Sequence, residues 1–499
     1  MIKTIAVVGR DEDAWMTALM LQLSLGKSVQ PVEVTLVELP SNVGAQDFYA
    51  TIPSQRAFHE LLGLSESNVL SAGRGVQSLG YRYSNWTGES SDFFHVYDTT
   101  GTALDGIDFL QFWTKARHRG LNVALDEFSL AAAAARRGKM IMLNDRTSAY
   151  SHANHGYNLS ALSYLKGIAK VALAAGVKHI VAEVERIRVK EERIESVFLK
   201  GGKSLEADLF IDASGDGELI SQLNEGFSRW DQWFLCDRAI VASVERLRPM
   251  ASFNQVSAVP AGWLGLYPLA SRTGVTMQFC SRHINDGEAL RVMNAAVRQP
   301  VQEPKLLALE AGARTKPWVG NCIAIGKTAA RMDGLEGVQL HVLHTTLSYL
   351  LTLLPVTADY DLERNTYNTR LTRHIERLRD FQLAHYVLNR RSSDPFWRDC
   401  AAVEMPGSLR EKIELFKARG VIAMRESETF QEESWSALLT GCGIVPDSYD
   451  PLVDKIPEEH QIQQFQRMLS FIAEQAEQMP DMERFVQVHD AASYSEGLF

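Results

Sequence analysis

The sequence predicts an α/β fold: a Rossmann-type nucleotide-binding domain with interleaved β structure and a helical C-terminal region. Three observations carry this reading. The apolar run from Ile5 to Val8 opens on Gly9 and passes into a stretch whose apolar residues Trp15, Leu19 and Leu23 recur at helical spacing. About 30 residues on, Val34 to Glu38 is a second strand ending in an acid, the place where a βαβ nucleotide site holds ribose hydroxyls. Beyond Pro355 the chain turns helical and charged, with apolar residues at 3.6 spacing.

Taken in order, Gly44 to Pro53 reads as a loop and Ser54 to Leu64 as a helix. Leu79 to Tyr83 and Phe93 to Tyr97 alternate like strands, and Phe109 to Ala116 and Ala131 to Ala135 are helical. A helix from Ser160 to Ala175 leads into Lys178 to Val181, and a hairpin follows (Val184 to Val189, Ile194 to Lys200). The apolar strand in Ala207 to Gly217 opens on a glycine-bearing turn, the pattern of a chain returning to its nucleotide sheet. A β-rich stretch from Arg238 to Ser281 comes next. A second strand-to-glycine turn ends at Gly326, and a helix runs from Gln339 to Leu354. Helices are expected at 373–389, 409–419, 434–439 and 461–478. These patterns divide the chain into a β-containing nucleotide-type body, 1–360, and a helical region, 361–499.

The glycine turn after the first strand departs from its chemistry. In GxGxxG the first glycine makes the turn, the second lets backbone reach a pyrophosphate, and the third lets helix and strand approach. Here Gly9 stands alone, with Asp11 and Ala14 at the other two positions and Glu12 and Asp13 between them. One carboxylate about 6 Å from a phosphate charge costs roughly 3 kcal/mol at an effective dielectric near 20. Two would weaken binding by some three to four decades. The same acids also suit a helix start through the macrodipole and the N-cap. Either way the phosphate seat is compromised.

With 499 residues and 45% hydrophobic content the chain can bury a large core, and its net charge of −10 argues against nucleic acid or an anionic membrane as partner. No apolar run reaches about 18 residues, and the N-terminus enters a strand without a signal-peptide core, so the chain reads as cytoplasmic. Five widely spaced cysteines, without CxxC or a histidine-rich partner, support neither a disulfide framework nor a metal site.

At Phe381 to Arg391, Asp394 to Cys400, Pro406 to Phe416 and Gly441 to Pro446 the sequence resembles the flavin-dependent tryptophan halogenase family. Upstream the resemblance includes Ala50 to Pro53, Asn85-Trp86, Leu235 to Ala239, Arg272 to Gly274 and Trp318 to Gly326, so it spans essentially the whole chain. It implies a fold similar to single-component flavin monooxygenases, FAD as cofactor, a flavin reductase as partner and frequent homodimers. The substrate it implies is an indole or other electron-rich aromatic ring. On this resemblance Gly9, Ala14, Trp15, Glu38 and Gly326 are the cofactor-side residues, and Trp263, Pro268 and His95 the substrate-side ones.

The resemblance also locates four altered subsites. The family's GGGTAGW falls on Gly9 to Trp15 with its ends kept. Its catalytic lysine falls on Ser78, whose hydroxyl offers no cationic donor. Its WxWxIP falls on Trp263 to Pro268, with Gly265 at the second tryptophan, which would open the wall beside the substrate. Its FLEPLEST falls on Arg331 to Val338: Glu336 stands at the catalytic glutamate, His341 also matches, and Gly337 and Val338 replace halide-side residues. Two functions follow as expectations. One is a flavin-dependent halogenase or monooxygenase with lost or altered catalysis, binding FAD weakly or not at all. The other is a non-catalytic relative that uses the old pocket or surface for binding.

Overall fold

A short apolar strand flanked by parallel neighbours has to bury both faces, and β1 (Thr4–Gly9) does so from Ile5 onward. The structure, a computed structural model, describes residues 2–26, 31–88, 91–223, 226–355 and 359–487. β1 pairs in parallel with β2 (Glu33–Glu38) on one side and with Leu209–Ala213 on the other. Adding Lys178–Val181, Cys322–Ala324 and Trp318–Val319 gives a six-stranded sheet, parallel but for its last pair. The expected return of the chain to the nucleotide sheet is therefore found at Leu209–Ala213, directly beside β1.

Two compact units divide the chain. One comprises 1–75, 159–231 and 310–379, and the other 76–158, 232–309 and 380–499. They do not follow the boundary at 360 read from composition, because strands distant in sequence are needed to complete each sheet. The first unit holds the six-stranded sheet. The second is built on a seven-stranded sheet in the order 302–308, 238–245, 272–279, 262–268, 254–259, 80–84, 92–96. All its pairs are antiparallel except 254–259 with 80–84. One face buries Ile240, Leu264, Met277 and Phe279 with Ala289 and Met293 of the helix Asp286–Val297, which Asn285 and Glu288 start with a reciprocal capping box.

Several elements differ from expectation. The predicted loop 44–53 contains a three-residue strand, Phe48–Ala50. The helix from Ser54 stops at Leu61, and a further helix, Glu66–Ala72, starts on Ser65, whose hydroxyl accepts from the Asn68 N–H. The helix expected at 373–389 begins earlier, at Asp361. α1 (Asp11–Leu25) buries every residue from Asp11 to Leu21, whereas Leu23, expected with Trp15 and Leu19 at helical spacing, is 39% exposed. Among the described residues no helix is long and apolar enough to cross a membrane, and no group of three or more His, Cys, Asp or Glu is placed to hold a metal ion. All five cysteines are buried thiols.

Candidate functional site

The glycine turn between β1 and α1 keeps the backbone shape of a nucleotide loop. Gly9 sits so close to Ala213 that a Cβ there would collide with it. Asp11, at the second glycine position, adopts φ +56°, a left-handed conformation natural to glycine and tolerated by aspartate. Its carboxylate accepts from the Ser41 hydroxyl and, at 3.1 Å, from the Asn42 N–H. The helix cap is Arg10, whose side chain makes no capping bond. The acids do open the helix, and they are buried there: Asp11, Glu12 and Asp13 are 6%, 1% and 3% exposed.

Buried charges need partners, and the chain supplies them. Lys327 Nζ meets Glu12 Oε1 at 2.5 Å, and the Tyr49 hydroxyl donates to Glu12 Oε2. Burial alone would raise the Glu12 carboxyl, but the Lys327 charge and these hydrogen bonds hold it below the ordinary carboxylate value. The Lys327 backbone N–H donates to Asp13 Oδ2 at 2.9 Å. Burial, followed by the neighbouring Glu12 charge, pushes Asp13 up to about 7. Burial disfavours the Lys327 ammonium, yet Glu12 and Asp13 hold its proton more tightly than usual. A Cβ at Gly326, which has φ +56°, would collide with the Asp13 carboxylate, so this glycine now makes room for an acid.

The remaining cations of the seat are engaged as well. Arg10 pairs with Asp216 at 2.9 Å and Glu218 at 2.8 Å. Arg331 pairs with Glu310 at 3.0 Å and donates to the Gly215 carbonyl at 2.7 Å. Asp212, fully buried, shapes the second glycine turn by accepting from the Ser214 hydroxyl and from the Leu219 and Ile220 N–H groups. Glu38, the ribose candidate, accepts from Trp15 Nε1 at 3.0 Å and pairs with His179 at 2.7 Å. What is left at the mouth is a cavity of about 130 Å³ lined by Arg10, Asp11, Asp13, Gly215, Lys327 and Arg331 among others, below the roughly 300 Å³ at which small-molecule pockets begin. Three aspartates line it, counting Asp216, and each cation already faces a carboxylate. The residues present do not fit a pyrophosphate.

Gly9, Ala14, Trp15, Glu38 and Gly326 thus converge in the first unit. Glu336 lies in the same unit, fully buried at φ +65°, in a single turn where Gly337 has φ +61°. A non-glycine residue held in the left-handed region stores of order 1–3 kcal/mol, a trait concentrated at functional turns.

The second unit carries the other candidates. Ser78 is 2% exposed and donates its hydroxyl to the Gly80 carbonyl at 3.1 Å, so it is turned onto its own backbone. The adjacent Leu79 N–H bonds the Ser252 carbonyl at 2.7 Å. His95 is wholly buried among the rings of Tyr97, Phe381 and Phe430. Trp263 donates to the Tyr386 hydroxyl at 2.8 Å, and Pro268 ends the same strand. Gly265 leaves no opening of its own: a Cβ there would stand 2.6 Å from the Tyr267 ring, which fills that space. Ser78 and Glu336 belong to different units.

Sequence reasoning missed Lys327, Tyr49 and His179. A lysine directly after the second strand's glycine, in a chain with three acids after the first, was the available signal for Lys327.

A parallel sheet with two glycine turns facing one seat defines a protein of the Rossmann-type fold class. The tryptophan halogenase family profile matches residues 4–458. Tryptophan 7-halogenase RebH of Lentzea aerocolonigenes is 25% identical over 92% of each chain. Among solved structures, BrvH, a flavin-dependent halogenase from Brevundimonas sp. BAL3, is similar with a TM-score of 0.92 at 31% identity, covering 98% of this chain and 99% of its own. A flavin-dependent halogenase from Xanthomonas campestris is similar with a TM-score of 0.92 at 27% identity over 98% of each chain. The chain belongs to the tryptophan halogenase family, and its fold is that of the flavin-dependent halogenases.

Proposed function

We propose that this family member has lost or altered halogenation and holds FAD weakly or not at all, its surviving role being to bind a small aromatic, indole-like ligand. The observation supporting this is the internal pairing of the seat, with Glu12 on Lys327 and Tyr49 and Asp13 against Gly326. A diphosphate would have to displace those pairs and then lie beside Asp11 and Asp13, at a cost of several kcal/mol. Ser78 points the same way. Positioning of a reactant beside a ring contributes roughly 7–11 kcal/mol, and a hydroxyl already bonded to backbone supplies at most one hydrogen bond, about 1 kcal/mol. The ligand class comes from the relatives, whose names specify tryptophan.

A second reading, an active enzyme with relocated residues and a flavin reductase as partner, draws on the retained, strained burial of Glu336. One experiment separates them. Calorimetry with oxidised FAD is paired with an incubation of protein, FAD, a flavin reductase, oxygen and chloride or bromide over tryptophan and an indole panel, read by mass spectrometry and a peroxide assay. The expected result is no FAD binding at micromolar concentration and no halogenated product above background. Micromolar or tighter FAD binding, or a product at a single ring position that Glu336→Gln abolishes, overturns the proposal.

A further inference from the structure

A cavity of about 640 Å³ in the second unit shares no lining residue with the seat or with the strands carrying Ser78, His95 and Trp263. Its size lies in the small-molecule range. One wall is apolar: Met250, Phe253 and Met482 are 2%, 8% and 0% exposed and belong, with Ala135, to one core cluster. The backbone fixes two of its lining segments to each other. The Met140 N–H bonds the Pro480 carbonyl at 2.9 Å and the Met482 N–H bonds the Gly138 carbonyl at 3.0 Å, tying the turn at Asp481 to the end of the helix Leu130–Arg136. Methionines beside an aromatic ring make an adaptable surface for an alkyl or aryl group.

The polar lining decides the head group. The Glu483 side chain is 31% exposed, yet its Oε1 is shielded and has no hydrogen-bond partner among the protein's groups, while its Oε2 faces Arg248 only at 3.8 Å. The cations around the rim face anions, carbonyls or water: Arg136 pairs with Asp126 at 2.6 Å through Nη2 and with Glu127 at 3.3 Å through Nη1, which makes no hydrogen bond, Arg137 donates to the Ala133 carbonyl at 3.0 Å, and Arg484 is exposed to water. Asp481 is neutralised by Lys139 at 2.9 Å. A solvated guanidinium needs nothing further, whereas a buried carboxylate oxygen gains a strong, charge-assisted bond from any donor brought to it.

We propose that this cavity binds a small apolar amine, its ammonium donating to Glu483 Oε1 and its alkyl or aryl body lying on Met250, Phe253 and Met482. The test is calorimetric titration of the full chain with phenethylamine and hexylamine, beside phenylpropionate, which carries the same body on an acid. Both amines are expected to bind and phenylpropionate is not. Glu483→Gln should weaken the amines about tenfold or more while Arg484→Gln leaves them unchanged. Ala251→Leu, which fills the apolar side without touching the carboxylate, should also abolish binding, and circular dichroism should show each variant folded. Failure of both amines to bind the natural protein overturns the proposal. So does binding indifferent to Glu483→Gln, or phenylpropionate binding that is lost in Arg484→Gln.

Discussion

Asp13 is an acid placed where its charge is hardest to keep, 3% exposed and beside Glu12. Its proton is held up to about 7, far above its value in an unfolded chain. A raised carboxyl favours the folded state fully only below the unfolded value and loses that advantage as pH rises through the folded one. Asp13→Asn should therefore raise the melting temperature clearly at pH 8, with the gain shrinking as pH falls below 7; a gain independent of pH would show that the Asp13 carboxyl binds its proton equally in the folded and unfolded chain. The Glu12–Lys327 pair is asymmetric in a way stability measurements can read. Lys327→Met strands a carboxylate that is 1% exposed, and breaking a buried pair costs about 3–5 kcal/mol. Glu12→Gln leaves an ammonium whose side chain is 38% exposed and can reach water, so its cost should be clearly smaller. The double variant should recover most of the larger loss in urea unfolding.

At the scale of elements, three helices meet over a row of histidines. Ser54–Leu61 contributes His59, Gln339–Thr352 contributes His341 and His344, and His374 comes from the helix that starts at Asp361. His59 Nε2 bonds the Tyr164 hydroxyl at 2.6 Å, and His341 Nε2 lies 3.1 Å from His374 Nε2. His344 stacks on Phe58 at 3.7 Å with neither ring nitrogen hydrogen-bonded. Burial depresses all four: His59 and His374 to about 4, His341 to about 3 with His374 adding to it, and His344 well below its ordinary value. The unfolded chain takes up protons below about pH 6.5 that the folded protein refuses, so stability is present above that value and is lost as pH falls toward 4. Each group contributes about 1.4 kcal/mol per pH unit in that window, roughly 5 for the four together. Urea midpoints measured at pH 7.5 and 5.5 should fall steeply, and His344→Phe should flatten the slope by about a quarter. The helices themselves were legible from apolar spacing, but the row was not: helical periodicity places His341 and His344 on a helix without revealing that two other helices cover them.

The whole molecule shows where sequence reasoning reaches and stops. β1, the glycine turn, β2 and the returning strand at Leu209–Ala213 were readable because short apolar runs and glycines have few structural uses. The acids at Asp11 to Asp13 were readable as a fault in the seat, but their partners were not, since Tyr49 and Lys327 come from remote segments that only the fold brings together. The Tyr267 ring over Gly265 was hidden for a different reason: two residues on the same strand trade volume, and the pattern does not say where a ring turns. Composition placed a boundary near 360, whereas the packing gives each unit three separate segments. A fragment ending at 360 lacks part of both units and should be unfolded by circular dichroism and readily cleaved by protease; a soluble, cooperatively melting fragment would contradict the division.

Because the chain passes from one unit to the other at 75, 158, 231, 309 and 379, neither can be finished early in synthesis. At roughly 5–20 residues per second, the first unit waits on the order of 20–75 s for its last segment, which ends at residue 379, and the second waits for the remainder. For about the first half of that interval β1 and β2 can pair while Leu209–Ala213, the other neighbour of β1, has yet to leave the ribosome. The nascent chain therefore carries an open parallel edge for much of its birth, a template for mispairing that closes when Leu209–Ala213 takes its place beside β1.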